Sequence, residues 1–377
     1  MIIETWEPIW GGGQAHVLEL SKKLAQNHGC FIDIYTMNII GAHGGKQKPV
    51  EEFNNGNVRI FRTGKLRNFY SYADRLLWIP EVIRAIWKSH VQEKYHLIHA
   101  HANLPGIPGK ILSIMLDIPV IYTVHGSNLL DLNKKSIFFY IEKFLFTRLR
   151  YNLQITVSRN FLKYPNKNQV IYIPNGVDTQ KFDNVYATNI HEKDPRKFKI
   201  LFVGRFDTVK AVNLLIQAVS TLRPLLVHKH VELCLVGYGY EETQLKQLVE
   251  NLKLNDLIVF KRLFRDDVIK EYTTADLFIL PSLTEGFPLT LLEAWAAKLP
   301  VITTTVGEIP NLVQNMVNGI LIPPGDVEAI ANALQSALTL DETTRKQMGI
   351  AGYQTIKESY TWEINAQSTY ALYSKLL

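Results

Sequence analysis

Two carboxylates, Glu285 and Glu293, stand with seven residues between them in the stretch PSLTEGFPLTLLEAWAAKLPVI. The first lies in a turn-like TEGFP segment after an apolar strand. The second is expected about two turns into the helix that follows. Such a strand–turn–helix aims the backbone N–H groups of Gly286, Phe287, Leu289 and Thr290 at one point, and the free N–H groups of a helix start form a positive cradle for phosphate. Carboxylates beside that cradle can bind sugar hydroxyls, so the segment suggests a nucleotide-sugar site. The alternative is an ordinary helix start whose second Glu is a solvated charge.

Three further groups of residues have chemical potential. Arg205 and Lys210, in GRFDTVKAV, follow an apolar strand. A guanidinium and an ammonium there can neutralise a diphosphate, the Arg with paired donors; as an alternative they are two loop cations. Gly11, Gly12 and Gly13 stand between a short strand and a helix, where missing Cβ atoms allow close approach of a phosphate or a sugar, or simply make a tight turn. The pattern is not GxGxxG and no acidic residue follows at a strand end, so a nicotinamide dinucleotide site is poorly supported. His125, in IYTVHGSNL, and His99 and His101, in IHAHANLPG, end strands. A strand-end imidazole can bond a sugar hydroxyl or stabilise charge, which is the reading for His125; His99 and His101 read as structural. His-x-His could ligate zinc, but no third or fourth ligand stands nearby in sequence. No Asp-x-Asp triplet ends a strand, so no metal is expected, and a leaving diphosphate would rely on Arg205, Lys210 and helix N-termini. Nucleophile-elbow, Walker A and kinase motifs are absent.

The elements that must position these residues alternate. In the first half, strands at 31–37, 58–63, 97–101, 120–124, 154–157 and 170–173 are separated by helices at 13–27, 72–93, 108–116 and 136–151. After a turn-rich break, IPNGVDTQKF, and a soft polar stretch at 184–197, the alternation restarts. Strands then fall at 199–203, 231–236, 258–260, 277–281 and 301–305, with helices at 211–222, 242–252, 267–274 and 289–297. Alternating strands and helices imply parallel sheets covered on both faces. The expected architecture is therefore two open, doubly wound α/β domains, 1–180 and 184–360, facing a cleft. A final helix at 361–377 would pack back on the first domain. Ligands of such sheets bind at the carboxyl ends of the strands.

Composition sets the outer bounds. At 377 residues two domains are the natural expectation, and 47% hydrophobic with 20% charged residues is ordinary globular composition. Two cysteines, Cys30 and Cys234, exclude a disulfide framework, fit a reducing cytosol, and read as small core residues within strands. No apolar run is long enough to span a bilayer, and no secretory leader is read. MIIETWEPI is short for a buried strand with its lead-in, so either strand one is short or the natural chain starts upstream of Met1. Charge is uneven: residues 1–183 hold 22 Lys+Arg against 14 Asp+Glu, and residues 184–377 hold 19 against 21. The basic half carries Arg62, Lys65, Arg67, Arg75, Arg84 and Lys88 amid Phe61, Phe69, Tyr70, Trp78 and Trp87. It also carries Lys134, Lys135, Lys143, Arg148 and Arg150 amid Phe138, Phe139, Tyr140, Phe144 and Phe146. That mixture suits an anionic membrane surface or a solvated helix face. Nucleic acid is not expected, because no recognition motif accompanies the charge.

Taken in order, PIWGGGQAHVLELSKKLA, HLIHAHANLPG, IYTVHGSNL, VIYIPNGVDTQKF, ILFVGRFDTVKAVNLLIQAV, LCLVGYGYEETQLKQL, ADLFILPSLTEGFPLTLLEAWAAKLPVITT and NGILIPPGD resemble the retaining glycosyltransferases of family 4, which have the GT-B architecture. The resemblance implies a metal-independent transferase that moves a hexose from a nucleotide-sugar donor to a glycan or lipid-linked acceptor. It further implies an enzyme of surface polysaccharide synthesis; with the two cysteines and the basic, aromatic first half, the expectation is a cytoplasmic enzyme, peripheral on the inner face of the cell membrane. By position, Arg205 and Lys210 match the pair on the donor diphosphate, Glu293 the ribose ligand and Glu285 the residue on the donor-sugar side. Gly286, Phe287, Pro288, Leu289 and Thr290 match the loop on the transferred sugar and phosphate. Gly12 and Gly13 match the loop near the β-phosphate and acceptor, and His125 the histidine near the anomeric centre. Arg262 and Leu263, in VFKRLFRDD, match the region of the nucleobase. The family often has a small glycine where Arg262 stands, which leaves the base open between UDP and GDP. Two rivals are a sugar-nucleotide epimerase of the same fold, which needs no acceptor, and a non-catalytic binding module.

Overall fold

The computed structural model describes residues 1–7, 11–39, 49–68, 71–102, 104–125, 137–189, 193–263 and 267–377. They form two compact units. Unit 1 is Met1–Asn175 with Trp362–Leu377, and unit 2 is Gly176–Thr361.

Unit 1 runs β1 (Ile2–Ile3), α1 (Gly12–His28), β2 (Ile32–Ile39), β3 (Val50–Phe53), β4 (Val58–Arg67), α2 (Tyr72–Gln92), β5 (Ile98–His101), α3 (Gly106–Leu116), β6 (Val120–Val124), α4 (Ile137–Thr147), β7 (Leu153–Thr156) and β8 (Val170–Tyr172). Its sheet has the order β3-β4-β2-β1-β5-β6-β7-β8. All described pairings are parallel except β3 with β4. The strands explain this arrangement: β5 and β6 are buried at every position, as expected for parallel strands covered on both faces. Period-2 alternation divides the core in two. On one face Tyr35, Met37, Ile98, Ala100, Val120 and Tyr122 pack with Trp78, Val82 and Ile86 of α2. On the other, Ile32, Ile34 and Ile121 pack with Val17, Leu20 and Leu24 of α1. Helix α1 stops at Gly29, whose φ of 64° is the left-handed C-cap. Helix α2 starts at Ser71, whose hydroxyl accepts from the Asp74 amide.

Several elements differ from the sequence expectation. Strand β3 was not anticipated. Half of its residues are charged and it is short, properties that suit a sheet edge and blur the alternation. Helix α4 ends at Thr147 rather than Tyr151. Cys30 is half-buried just before β2 rather than within a strand, whereas Cys234 is a buried strand residue.

Unit 2 runs α5 (Thr179–Asn189), β9 (Phe198–Val203), α6 (Val212–Thr221), α7 (Arg223–His228), β10 (Val231–Val236), α8 (Glu242–Asn251), β11 (Ile258–Lys261), α9 (Asp267–Thr273), β12 (Leu277–Leu280), α10 (Leu289–Ala296), β13 (Val301–Thr304), α11 (Ile309–Leu312), β14 (Ile320–Ile322), α12 (Val327–Thr339) and α13 (Glu342–Ser359). The sheet order is β11-β10-β9-β12-β13-β14, and its described pairings are all parallel. Residues expected as a turn-rich break and a soft polar stretch instead open with helix α5. A single buried side chain decides this: Phe182 packs edge-on to Tyr272, with ring centroids 5.8 Å apart. Asp183 is held by Lys298 at 2.9 Å and by Tyr353 at 2.8 Å. Helix α7 was also missed. Its Pro224 sits in the first turn, where a missing N–H costs no hydrogen bond. The last helix, α14 (Trp362–Leu376), belongs to unit 1, where Ala366, Leu372 and Tyr373 join the α1 face.

In each sheet one strand feeds neighbours on both sides, β1 between β2 and β5 and β9 between β10 and β12. These are the points where strand order reverses, and the loops after them are where open α/β sheets bind ligands.

Candidate active site

The loop after β9 is built by backbone packing. Gly204 donates to the Val236 carbonyl and Phe206 to that of Tyr238. A Cβ on Gly237 would lie 1.9 Å from the Gly204 oxygen, so the loops after β9 and β10 approach as closely as they do only because residue 237 is glycine. Asp207 caps the short turn Thr208–Lys210 by accepting from the Lys210 amide at 3.2 Å. The Val209 carbonyl then accepts from Leu283 at 2.8 Å, which ties this loop to the one after β12.

That tie brings Lys210 to Glu285. The ammonium nitrogen lies 2.5 Å from Glu285 Oε1, and Ser282 donates to the same oxygen at 2.7 Å. Both partners of the ion pair are largely withdrawn from water, with side chains 16% and 9% exposed. Removing either would leave a charge with poor compensation, whereas an exposed pair is worth little. Arg205 is such an exposed pair: it is bound to Asp207 at 3.0 Å with 64% of its side chain in solvent. Its guanidinium is available to a ligand. The loop carrying Glu285 is locked from the other side as well. Glu308 donates its amide to the Gly286 carbonyl at 3.2 Å. Gly307, at φ 59°, passes so close that a Cβ would lie 2.0 Å from the Glu285 oxygen.

Helix α10 begins at Leu289 after an extended Pro288, so the Leu289 and Thr290 amides open the helix with no intrahelical acceptor. The Thr290 hydroxyl is buried and, among the described residues, has no hydrogen-bond partner. Phe287 is buried and packs against Tyr360. Glu293 lies just over one turn into α10, not two. It is not the solvated surface charge of the alternative reading: it is half-buried and accepts from the Tyr272 hydroxyl at 2.8 Å. Burial pushes its carboxyl above the usual range, opposed by the Tyr272 hydrogen bond and by the charge of Lys181. On the far side of the Gly237 loop the Arg262 guanidinium sits 5.0 Å over the Tyr238 ring. Arg262 is exposed and Leu263 half-buried. Lys210, Glu285 and the α10 start are thus one structure, linked through Phe206 and Tyr238 to Arg262.

Unit 1 presents the second group of expected residues. Gly12 and Gly13 open α1 with no positive φ. A Cβ on Gly13 would meet only the His125 ring, at 3.8 Å. Among the described residues nothing therefore demands glycine at 13. His99 is fully satisfied, by Tyr373 and Thr123 at 2.6 Å each. His101 Nδ1 lies 3.2 Å from His125 Nε2. His16, from α1, stands edge-on to His125 with centroids 4.5 Å apart and bonds Asn175 at 2.8 Å. Burial lowers all four imidazoles well below the ordinary histidine range, His16 to about 4. They are neutral at pH 7. The sequence reading saw no third imidazole near the His-x-His pair; the fold supplies His16.

Two family models match in tandem. The one described as Glycosyltransferase Family 4 matches residues 10–181, and the one described as Glycosyl transferases group 1 matches residues 187–355. An uncharacterized glycosyltransferase of Methanocaldococcus jannaschii is 27% identical over 98% of this chain and 96% of its own length. The UDP-Gal:alpha-D-GlcNAc-diphosphoundecaprenol alpha-1,3-galactosyltransferase of Escherichia coli is 27% identical over 76% of this chain and 80% of that protein. Among solved structures, sucrose-phosphate synthase of Thermosynechococcus elongatus superposes with a TM-score of 0.84 at 24% identity, covering 97% of this chain and 94% of that one. The chain belongs to glycosyltransferase family 4. Its fold is GT-B and it is a glycosyl-transferring enzyme.

For this glycosyltransferase the fold also supplies residues that sequence reasoning passed over. Ser282 precedes Glu285 by three residues and fixes its carboxylate. Tyr272 holds Glu293 from a different helix. Gly307 sets the height of the Glu285 loop. His16 had a legible signal, as a histidine on the apolar face of the helix behind the glycines. Tyr272 and Gly307 had none, because their partners are distant in sequence. In the basic half, Arg62 pairs with Glu51 at 2.9 Å, Arg67 with Glu81 and Asp74, and Arg75 with Glu4. Those cations are neutralised internally and drop out of the membrane-facing set. Phe69, Tyr70, Lys134, Lys135 and the Phe138 side chain lie outside the described residues. Among the described residues no helix is long and apolar enough to cross a membrane.

Proposed function

We propose that this family 4 enzyme moves a hexose from a nucleoside-diphosphate sugar, UDP- or GDP-linked, to a glycan or lipid-linked acceptor in surface polysaccharide synthesis. Transfer proceeds with retention and without a metal. The observation that carries the reading is the Lys210–Glu285–Ser282 cluster beside the start of α10, in the loops after β9 and β12. An ammonium engaged by one carboxylate keeps two further N–H donors for phosphate oxygens. With Arg205 and the α10 amides it would take the charge that develops as the diphosphate departs. Glu293 would hold the ribose hydroxyls, and Glu285 with Gly286, Phe287, Pro288 and Leu289 would face the hexose. Thr290, with its unpartnered hydroxyl, would meet a phosphate oxygen, and Arg262 and Leu263 the base. From unit 1, Gly12, Gly13 and His125 would serve the β-phosphate and the acceptor.

In the proposed step the bond from the anomeric carbon to the leaving phosphate oxygen breaks. The acceptor oxygen bonds to that carbon from the same face, and its proton passes to the departing phosphate. No protein nucleophile is required. The lipid-linked acceptor is supported by the Escherichia coli relative, whose name gives a diphosphoundecaprenol-linked sugar as its acceptor. The test is transfer from UDP- and GDP-hexoses to lipid-linked and oligosaccharide acceptors in EDTA, with the product anomer read by proton NMR. A product of donor configuration at an undiminished rate is expected. Inversion, or activity lost in EDTA and restored by Mn²⁺, contradicts the reading.

The proposal includes a membrane-facing side of unit 1, at the inner face of the cell membrane. Leu77, Trp87 and Val91 of α2 are exposed alongside Arg84 and Lys88, and Tyr140, Ile141 and Phe144 of α4 alongside Lys143 and Arg148. Exposed aromatic and aliphatic side chains interleaved with cations suit an anionic interface. Co-sedimentation with phosphatidylglycerol vesicles should fall sharply in Trp87→Ser/Phe144→Ser. Equal binding by the variant, or none by the parent protein, excludes this surface.

A further inference from the structure

His16, His101 and His125 come from three separate elements, yet one ring nitrogen of each lies within 4.8 Å of the other two. His101 Nδ1 and His125 Nε2 are 3.2 Å apart. Two imidazole nitrogens on one tetrahedral zinc, each about 2.0–2.1 Å from the ion, are separated by about 3.3 Å. His16 is preset as a third ligand. Its Nδ1 faces the Asn175 amide oxygen at 2.8 Å, and that oxygen can only accept. The proton therefore resides on Nδ1 and leaves the Nε2 lone pair free, the arrangement by which an outer carbonyl fixes a ligating histidine. His101 Nε2 and His125 Nδ1 are buried and, among the described residues, without partners. His99 does not take part, since both its nitrogens are occupied.

We propose that His16, His101 and His125 form a three-imidazole site for a borderline-soft divalent cation of the Zn²⁺ class, with a fourth position open. Zinc and cobalt fit such a nitrogen set, whereas Mg²⁺ and Ca²⁺ seek oxygen. Because His125 is also proposed to serve the transferred sugar, an ion on this triad would inhibit transfer rather than support it. That one consequence rests on the proposed function; the site itself does not.

Binding is measured without sugar nucleotide, on chelator-treated full-length protein, by calorimetry with Zn²⁺ and by the visible spectrum with Co²⁺. The expected result is one tight equivalent with a tetrahedral cobalt spectrum, unaffected by millimolar Mg²⁺. His16→Gln and His125→Gln, confirmed folded by circular dichroism, should each weaken that equivalent by at least tenfold. His28→Gln, at the other end of α1, should leave it unchanged. No saturable equivalent in the parent protein, or equal affinity in both triad variants, overturns the proposal. If neither variant folds, His101→Gln and the cobalt spectrum of the parent protein decide: an octahedral spectrum or none overturns it.

Discussion

Replacing Lys210 by Ala tests the centre of the proposed donor site through two separate readouts. At 2.5 Å and an effective dielectric of about 20, the attraction to Glu285 is ~7 kcal/mol before desolvation is subtracted. The net effect of deleting one member of such a withdrawn pair is smaller, about 3 kcal/mol, and it arises because Glu285 is left with only the Ser282 hydroxyl. For a unit of this size that lowers the melting temperature by about 6–12 °C. If Lys210 also holds the leaving diphosphate, turnover falls at least ~100-fold, as when one donor to a developing negative charge is removed. Melting by circular dichroism and donor turnover are then measured for Lys210→Ala, Glu285→Gln and the double variant. Neutralising Glu285 removes the stranded charge, so the double variant should regain about 2 kcal/mol of the lost stability and none of the turnover. Strictly additive stabilities would refute the energetic reasoning. Turnover within about threefold of the parent protein would remove Lys210 from the diphosphate.

Glu293→Gln separates binding from folding. Burial holds the folded carboxyl above its ordinary value, so folding favours the proton-bound form more than the unfolded chain does. The stability contributed by this group is complete below the unfolded pKa and is lost as pH rises through the raised folded value. The amide should therefore be more stable than the parent above that window and indistinguishable below it, as read from melting curves against pH. A charged hydrogen bond to the ribose is worth ~1.5–3 kcal/mol, so donor affinity should fall about 10- to 100-fold; unchanged affinity would detach Glu293 from the ribose. Gly307→Ala would place a Cβ 2.0 Å from the Glu285 carbonyl oxygen at a φ of 59°. Strain of ~1–3 kcal/mol should appear in unit 2 with a rise in donor KM. A variant as stable and as active as the parent would show that this loop yields freely.

Much of the candidate site was legible because its residues follow local signals. Arg205 and Lys210 follow an apolar strand, and Glu285 and Gly286 precede a helix start, so the positions could be read from strand and turn signals alone. What could not be read is pairing across the sheet. That Lys210 meets Glu285, that Tyr272 meets Glu293 and that His16 meets His125 depends on which strands are neighbours, and sequence periodicity does not specify strand order. Burial settled two readings for the same reason. A solvated helix charge stood as the alternative for Glu293 until α9 covered it. Arg62, Arg67 and Arg75 counted toward a basic surface until β3, α2 and the residues after β1 supplied their carboxylates. Helix α5 was hidden in polar sequence because one aromatic, Phe182, anchors it against another helix.

The central claim, a nucleoside-diphosphate sugar held by Lys210 and the start of α10, is tested most directly by thermal shift of the parent protein and Lys210→Ala against UDP-, GDP- and ADP-sugars. A ligand at about 100 times its Kd adds ~2.7 kcal/mol to the state that binds it, a rise of about 5–10 °C for a unit of this size. The account predicts that rise with one nucleotide class in the parent protein and its loss in Lys210→Ala. No rise with any donor, or an equal rise in the variant, would contradict it.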